Sequence, residues 1–475
     1  MKDQDIAGWL GARSGADRRL PVYRRIYARV RQGIAEGRLA AGQRVPSIRV
    51  LASLLEVSRG TVELAYQLLL AEGYLLARGP AGTVVAPGLT VVPSAKATPA
   101  AQRREPDTAE RPDAPFRLGL PAMDAFPAAT WTRCLARHIR HLDIHAMAAG
   151  DAMGEHALRA AIARHLGVAR GIPCHPEQIV VTTGHRGSLE LLLRCAWQPG
   201  ESCWFEDPGY SVARRFLEGY GVPLVDIPVD ANGLDVDTAI RQAPHARLAV
   251  VTPTQQSPLG VALSLNRRVA LLDWAASNGA WILEDDYDSE FRYRGRPLPA
   301  LKSLDRADRV YYAGSFSKTM YPGLRIGYLV VPESQLDCVR AAAGRFRNTA
   351  VQPYQLALAE FMDAGHFARH LKRMRALYEE RRAILTSALE RGGQLRVEPT
   401  AGGMHLLAWL DPEQDDLRIA ALARESGLSV TALNAWRTQP GAPALLLGFT
   451  QANSKTRAAS WSRRLHEIIE ASASP

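Results

Sequence analysis

The chain has 475 residues, 47% of them hydrophobic and 22% charged, with a formal net charge of +10. That balance is ordinary for a folded chain of several domains and excludes a mainly disordered, fibrous or disulfide-stapled protein. Five dispersed cysteines without a CxxC pair read as reduced thiols, not a zinc site. The N-terminus has no apolar signal-peptide core, and no run approaches the ~18 apolar residues of a spanning helix. The expected location is therefore the cytoplasm, with no membrane and no metal.

Charge is uneven along the chain. Residues 1–90 carry 13 Lys+Arg against 7 Asp+Glu, a net +6, while the remaining 385 carry 45 against 41, a net +4. An anionic partner for the first segment follows from that asymmetry. Residues 1–19 read as a tail. After them Val22, Ile26, Val30 and Ile34 recur at helical spacing, and Gly37 stops the pattern. A short helix is expected near Ser47, with Ile48, Leu51 and Leu55 on one face. A tight turn follows at Glu56-Val57. Ser58 then caps a third helix whose inner face is Val62, Ala65, Tyr66 and Leu69. Arg59 and Thr61 lie on the outer face of its first turn, where an arginine can reach a base edge and N–H groups meet phosphate. Tyr74-Leu75-Leu76 and Thr83-Val84-Val85, joined by a turn at Gly79-Pro80, form a two-stranded wing.

The stretch VPSIRVLASLLEVSRGTVELAYQLLLAEGYL followed by AGTVVA resembles the winged helix-turn-helix of GntR-type regulators over residues 20–86. The resemblance implies binding to double-stranded operator DNA through Ser47, Arg49, Ser58, Arg59, Thr61 and Gly82. Pro80 stands where the usual wing has glycine.

The expected head spans 20–88. Residues 89–115 are rich in proline and alanine and read as a semi-extended linker. From 116 to 475, short β-rich runs alternate with helical stretches. The runs are Ile179–Val181, Cys203–Phe205, Leu248–Val251, Trp281–Leu283, Val310–Tyr312 and Gly327–Val331, and helices fall at 188–196, 210–219 and 265–278. Such alternation predicts an α/β fold with a mostly parallel sheet. Ligands of such sheets bind at the carboxyl ends of the strands.

Four of those ends carry chemistry. Glu284-Asp285-Asp286-Tyr287 follows one strand, and Ser315-Phe316-Ser317-Lys318 with Arg325 follows another. Thr182-Thr183-Gly184-His185-Arg186 opens a helix, and Asp207-Pro208-Gly209-Tyr210 ends a fourth strand. Together they suit pyridoxal phosphate. Its aldehyde needs a lysine amine, its ring nitrogen a carboxylate, and its phosphate N–H groups, hydroxyls and an arginine. Only six of the 58 basic residues are lysines, and Lys318 lies in a hydroxyl-rich segment where arginine could not form a Schiff base.

EDDYDSEF and SFSKTMYPGLRIGY resemble fold-type I pyridoxal-phosphate enzymes of the aminotransferase class. The resemblance implies a large sheet domain with a smaller C-terminal α/β subdomain. It makes Lys318 the catalytic Schiff-base residue, Asp285 the partner of the ring nitrogen and Tyr287 the donor to the ring oxygen. Tyr210 would stack on the ring. Ser315, Ser317, Arg325, Gly184 and the N–H groups of His185 and Arg186 would hold the phosphate.

Head, linker and body in this order resemble the MocR subfamily of regulators. That implies a homodimeric transcription factor that binds pyridoxal phosphate and senses a vitamer, an amino acid or an amine. An aminotransferase carrying a DNA-binding head is the alternative. Some positions depart from the enzymes' pattern. Leu445-Leu446-Leu447 precedes Gly448-Phe449 where an arginine commonly grips the substrate carboxylate. Ala149 replaces a tyrosine before Gly150-Asp151, and His185-Arg186 replaces a glutamine pair. His405 reads as a packed core histidine.

Overall fold

The computed structural model describes residues 6, 8–10, 20–87, 113–142, 144–148, 150–293, 298–347, 349–398 and 400–473. Most of the expected linker and Ala149 lie outside the described residues. Contacts divide the chain into two units, Met1–Ala109 and Glu110–Pro475.

In the first unit, helices α1 (Val22–Ala35), α2 (Ile48–Leu54) and α3 (Arg59–Ala71) precede strands β1 (Leu75–Ala77) and β2 (Thr83–Val85). The apolar periodicity packs as its spacing predicts. Ile26, Val30 and Ile34 meet Leu51, Val62, Ala65, Tyr66 and Leu69 in one core. Ile6 and Leu10, within the expected tail, are buried in that core as well. The Ser47 hydroxyl accepts the Val50 N–H at 3.3 Å, and the Ser58 hydroxyl accepts the Thr61 N–H at 3.2 Å. Both helix starts are thus capped. Glu56, with φ +54°, makes the turn between α2 and α3. The wing strands are antiparallel, with Leu75 opposite Val85 and Ala77 opposite Thr83.

The second unit is built on an eight-stranded sheet in the order β3 (Ile179–Thr182), β10 (Gly327–Val330), β9 (Val310–Ser315), β8 (Trp281–Asp286), β7 (Leu248–Val251), β4 (Cys203–Asp207), β5 (Leu224–Asp230) and β6 (Gly233–Leu234). Strands β9, β8, β7, β4 and β5 are parallel, whereas β10 is antiparallel to both its neighbours. Side chains alternate between two apolar layers. Val180, Leu283, Ala313 and Leu329 enter one, and Ile282, Ala249 and Trp204 enter the other. Both faces are covered, so the strands read as near-continuous apolar runs.

Helices fall where the pattern places them, notably α4 (His185–Ala196), α5 (Ser211–Gly219) and α6 (Leu265–Asn278). A four-stranded antiparallel sheet, β11 (Arg396–Glu398), β12 (His405–Trp409), β14 (Ala444–Gly448) and β13 (Thr431–Ala432), forms the smaller subdomain.

The placement of β10 organises the site. Being antiparallel to β3 and β9, it starts where both of them end, and Gly327 sits opposite Thr182 on one side and Ser315 on the other. Two chain segments far apart in sequence are thereby joined at one sheet edge.

Candidate functional site

Asp285 is the penultimate residue of β8. Alternation along the strand sends Glu284 and Asp286 to the opposite face. The Asp286 carboxylate is held there by Arg170 Nη2 at 2.8 Å and by the Tyr312 hydroxyl at 2.5 Å. Arg170 also donates to Thr254 Oγ1 at 2.8 Å. Glu284 accepts the N–H groups of Leu301 and Lys302 at 2.9 and 2.8 Å. These bonds fix the end of β8 and leave Asp285, which is 6% exposed, on the other face of the strand. His185 Nδ1 approaches its Oδ1 at 3.4 Å. The imidazole therefore faces the carboxylate through Nδ1, while its buried Nε2 has no hydrogen bond among the described residues.

Lys318 Nζ donates to the Gly119 carbonyl at 3.1 Å. Burial holds this amine below the ordinary lysine range, opposed by the charges of Asp288 and Asp285. The buried Tyr287 hydroxyl has no hydrogen bond of good geometry among the described residues, although Ser257 lies close enough to act on it. Tyr210 sits edge-on to His185 at 5.6 Å and tilted against Trp436 at 5.9 Å. Burial pushes its phenol up to about 12.

Two glycines meet at the corner where β3, β9 and β10 join. Gly184 caps α4 with φ +96°, a region that excludes most side chains, and Arg325 Nη1 lies 4.0 Å from where its Cβ would stand. A Cβ on Gly327 would come 2.8 Å from Gly184 Cα and 3.1 Å from the Gly314 carbonyl. The Ser317 N–H donates to Ser315 Oγ at 3.2 Å, which places both hydroxyl residues at the end of β9. We expect Gly327→Ala to fold yet to bind inorganic phosphate and pyridoxal phosphate at least about tenfold more weakly, through displacement of one backbone strand. Equilibrium dialysis measures this.

Arg186 departs from the group. Its side chain is exposed and lines a separate cavity of about 420 Å³ with Arg347, Phe216 and Phe346. His405 Nε2–H donates to the Pro258 carbonyl, 2.9 Å away, and burial with the Lys318 charge holds it below the ordinary histidine range. It thus stands at the edge of the site. Asp288, Gly119 and Arg170 were not singled out in the sequence. Gly119 lies far from Lys318 along the chain, and only long-range packing brings the two together.

Burial pushes Glu206 and Glu284 up to about 7. Folded-state values above the unfolded ones stabilise the protein below pH about 4.5, and that contribution is lost as pH rises through 7. Burial holds His370 down to about 4, so its contribution is lost as pH falls from about 6.5 toward 4. Scanning calorimetry should show the body's melting temperature falling on both sides of mildly acidic pH.

In the head, Ser47, Arg49, Ser58, Arg59 and Thr61 cluster at the starts of α2 and α3. Arg49 and Arg59 are exposed, and neither forms an ion pair among the described residues. Gly82 has φ +87°, and its missing Cβ admits Arg44, whose Nε would lie 2.8 Å from it. Arg44, unnoticed in the sequence, therefore joins the wing.

A winged head fused to an aminotransferase-like body defines a class of transcriptional regulator. The profile of bacterial regulatory proteins of the gntR family matches residues 22–85, and that of aminotransferase class I and II matches 132–446. This chain belongs to the GntR-type regulators of the MocR kind, DNA-binding proteins with an aminotransferase-like effector domain. It is 36% identical to the probable rhizopine catabolism regulatory protein MocR of Rhizobium meliloti, across 93% of this chain and 92% of that one. It is 34% identical to the pyridoxine biosynthesis transcriptional regulator PdxR of Corynebacterium glutamicum, across 88% and 90%. Among solved structures it resembles an archaeal alanine:glyoxylate aminotransferase with a TM-score of 0.70 and 27% identity, covering 75% of this chain and 91% of that one. The aminotransferase fold implies dependence on pyridoxal phosphate. No helix among the described residues is long and apolar enough to cross a membrane.

Proposed function

We propose that the body holds pyridoxal phosphate covalently through Lys318 and reports a vitamer or amino compound to the DNA-binding head. The carrying observation is the convergence of Lys318, Asp285, Tyr287 and the Gly184–Ser315–Arg325 cradle at one sheet edge. The residues fit the group. A lysine amine, a buried carboxylate, a free phenol and an anion cradle match its aldehyde, ring nitrogen, ring oxygen and phosphate. When bound, the cofactor supplies an electrophilic carbon that amines can attack and a ring that takes up electrons. Asp285 would keep a proton on the ring nitrogen, Tyr287 would donate to the ring oxygen, and Ser315, Ser317, Arg325 and the N–H groups of His185 and Arg186 would neutralise the phosphate. Tyr210 would cover the ring face.

The regulatory reading is favoured over turnover by the end of β14. Leu446 packs there with Leu407, beside Leu118, Leu259 and Trp436. Leucines cannot pair with a substrate carboxylate. In the head, Ser47, Arg49, Ser58, Arg59, Thr61 and the Gly82 wing meet the operator, in the cytoplasm.

A homodimer is supported by exposed large apolar side chains of the body. Ile139, Leu142, Ile144, Met147, Phe346 and Val351 are all exposed, Ile144 at 79% and Val351 at 68%. Exposed apolar side chains mark association surfaces, and sedimentation velocity tests this assignment.

The test of function is operator retention by the cofactor-loaded protein, titrated with vitamers, amines and amino acids, beside an assay of amino transfer to a keto acid. Retention that responds to a compound without turnover supports the regulator. Sustained turnover with unresponsive retention supports an enzyme carrying a head.

A further inference from the structure

The segment that begins at Phe116 runs from the smaller subdomain to Lys318. The Gly448 N–H at the end of β14 donates to the Phe116 carbonyl at 2.8 Å, and the Arg117 carbonyl leaves no room for a Cβ on Gly448. Two residues further on, the Gly119 carbonyl accepts the Lys318 amine at 3.1 Å. Leu118 stands between these two anchors and packs on a leucine cluster of the subdomain.

That cluster has a closed floor and a half-open rim. Leu407 of β12 lies opposite Leu446 of β14, and both are buried together with Leu433. Leu118, Leu259 and Trp436 pack on them and are only partly buried. Trp436 carries this apolar wall across to the end of β4. Its ring is tilted against Tyr210 at 5.9 Å, and its carbonyl accepts the Gly209 N–H at 3.3 Å. The Thr438 N–H and hydroxyl donate to the two Asp207 oxygens at 3.0 and 2.5 Å. Trp436 is thus held in place before any ligand arrives, which spares a ligand the cost of ordering it.

The arginine of this loop is turned away from the wall. Arg437 Nη1 donates to the Ala442 carbonyl at 3.1 Å, and its guanidinium lies over Gly441 so closely that a Cβ there would clash. Arg325 stands at Gly184, and Arg186 lines a separate cavity. A carboxylate laid on leucines and a tryptophan loses its water and gains no partner, whereas apolar carbon gains by burial.

We propose that the amino compound taken up at Lys318 is a primary amine with an apolar or aromatic body and no carboxylate on the carbon that bears the nitrogen, its body lying on Leu118, Leu259 and Trp436. The inference rests on Lys318 being the covalent anchor. In the exchange the ligand nitrogen bonds the cofactor's aldehyde carbon, and the bond of that carbon to the Lys318 nitrogen breaks. Both hydrogens of the ligand's amino group pass to the lysine, and no other reactant is needed.

The cofactor-loaded full chain is titrated with matched pairs, phenylethylamine against phenylalanine and isoamylamine against leucine, then trapped with borohydride. Mass spectrometry counts the reduced adduct left on the Lys318 peptide and that released with the small molecule. Each half-displacement concentration is divided by the same compound's dissociation constant with free pyridoxal phosphate, which removes intrinsic amine reactivity. On that scale each amine should displace Lys318 at least about tenfold more readily than its amino acid. Trp436→Ala should shrink the advantage of phenylethylamine over methylamine, and Leu259→Ala serves if the tryptophan variant does not fold. Amino acids that displace Lys318 as readily as their amines overturn the proposal while leaving the anchor intact. An unchanged advantage over methylamine in the folded variant overturns it as well, because the wall then contributes nothing. Absence of any Lys318 adduct before an amine is added overturns the anchor instead.

Discussion

Lys318→Ala yields a folded protein that holds no borohydride-reducible cofactor. The wild-type amine makes a single hydrogen bond, to Gly119, so truncation removes little that supports the fold. What it removes is the amine proposed to bond the cofactor covalently. The expected change in the reduced adduct is all-or-none, whereas inorganic phosphate should still bind the Gly184–Arg325 cradle as in wild type. Peptide mass mapping after reduction checks the first point, and dialysis against labelled phosphate checks the second. An adduct that persists on another lysine would remove Lys318 from its role. Loss of both phosphate binding and adduct would mean that the substitution disturbs the fold, and circular dichroism separates that case.

Arg59→Ala weakens operator binding roughly 10- to 100-fold, the loss of one bidentate contact to a base edge. Arg59 opens α3 next to the Ser58 cap, whose hydroxyl accepts the Thr61 N–H, so its guanidinium extends from an exposed helix start. Its exposure means that the head keeps its core without it. Gel retention against the operator and against scrambled DNA reads the effect. A base contact lowers the ratio of specific to non-specific binding, whereas a phosphate contact lowers both affinities alike and flattens the salt dependence. Cofactor loading should be unchanged. Equal operator affinity in variant and wild type would remove Arg59 from the interface.

Much of the protein is legible without coordinates because its signals are local. Ser47 and Ser58 announce helix starts through hydroxyl caps that act within three residues. The inner face of α3 follows from 3.6-residue periodicity, and a carboxylate, a lysine and a Gly-rich helix start each stand directly after a β-rich run. Those features settle element type and place the chemistry at strand ends, whatever the rest of the chain does.

Other features depend on which elements meet. The insertion of β10 antiparallel between β3 and β9 is invisible in its apolar run, yet it brings Gly327 against Gly184 and Ser315 and so builds the anion cradle. Asp285, Asp286 and Asp288 look alike in EDDYDSEF. One meets His185, one is clamped by Arg170 and Tyr312, and one is buried without a hydrogen bond of ordinary geometry among the described residues. Arg44 reaches the wing because β2 pairs beside it, and Arg186 turns away from the cradle because its side chain leaves α4 on the outer face. Residue type and spacing, which act over a few residues, determined the two folds and the candidate chemistry. Strand pairing and burial, which join residues far apart in the chain, decided which carboxylate, which arginine and which glycine carry it.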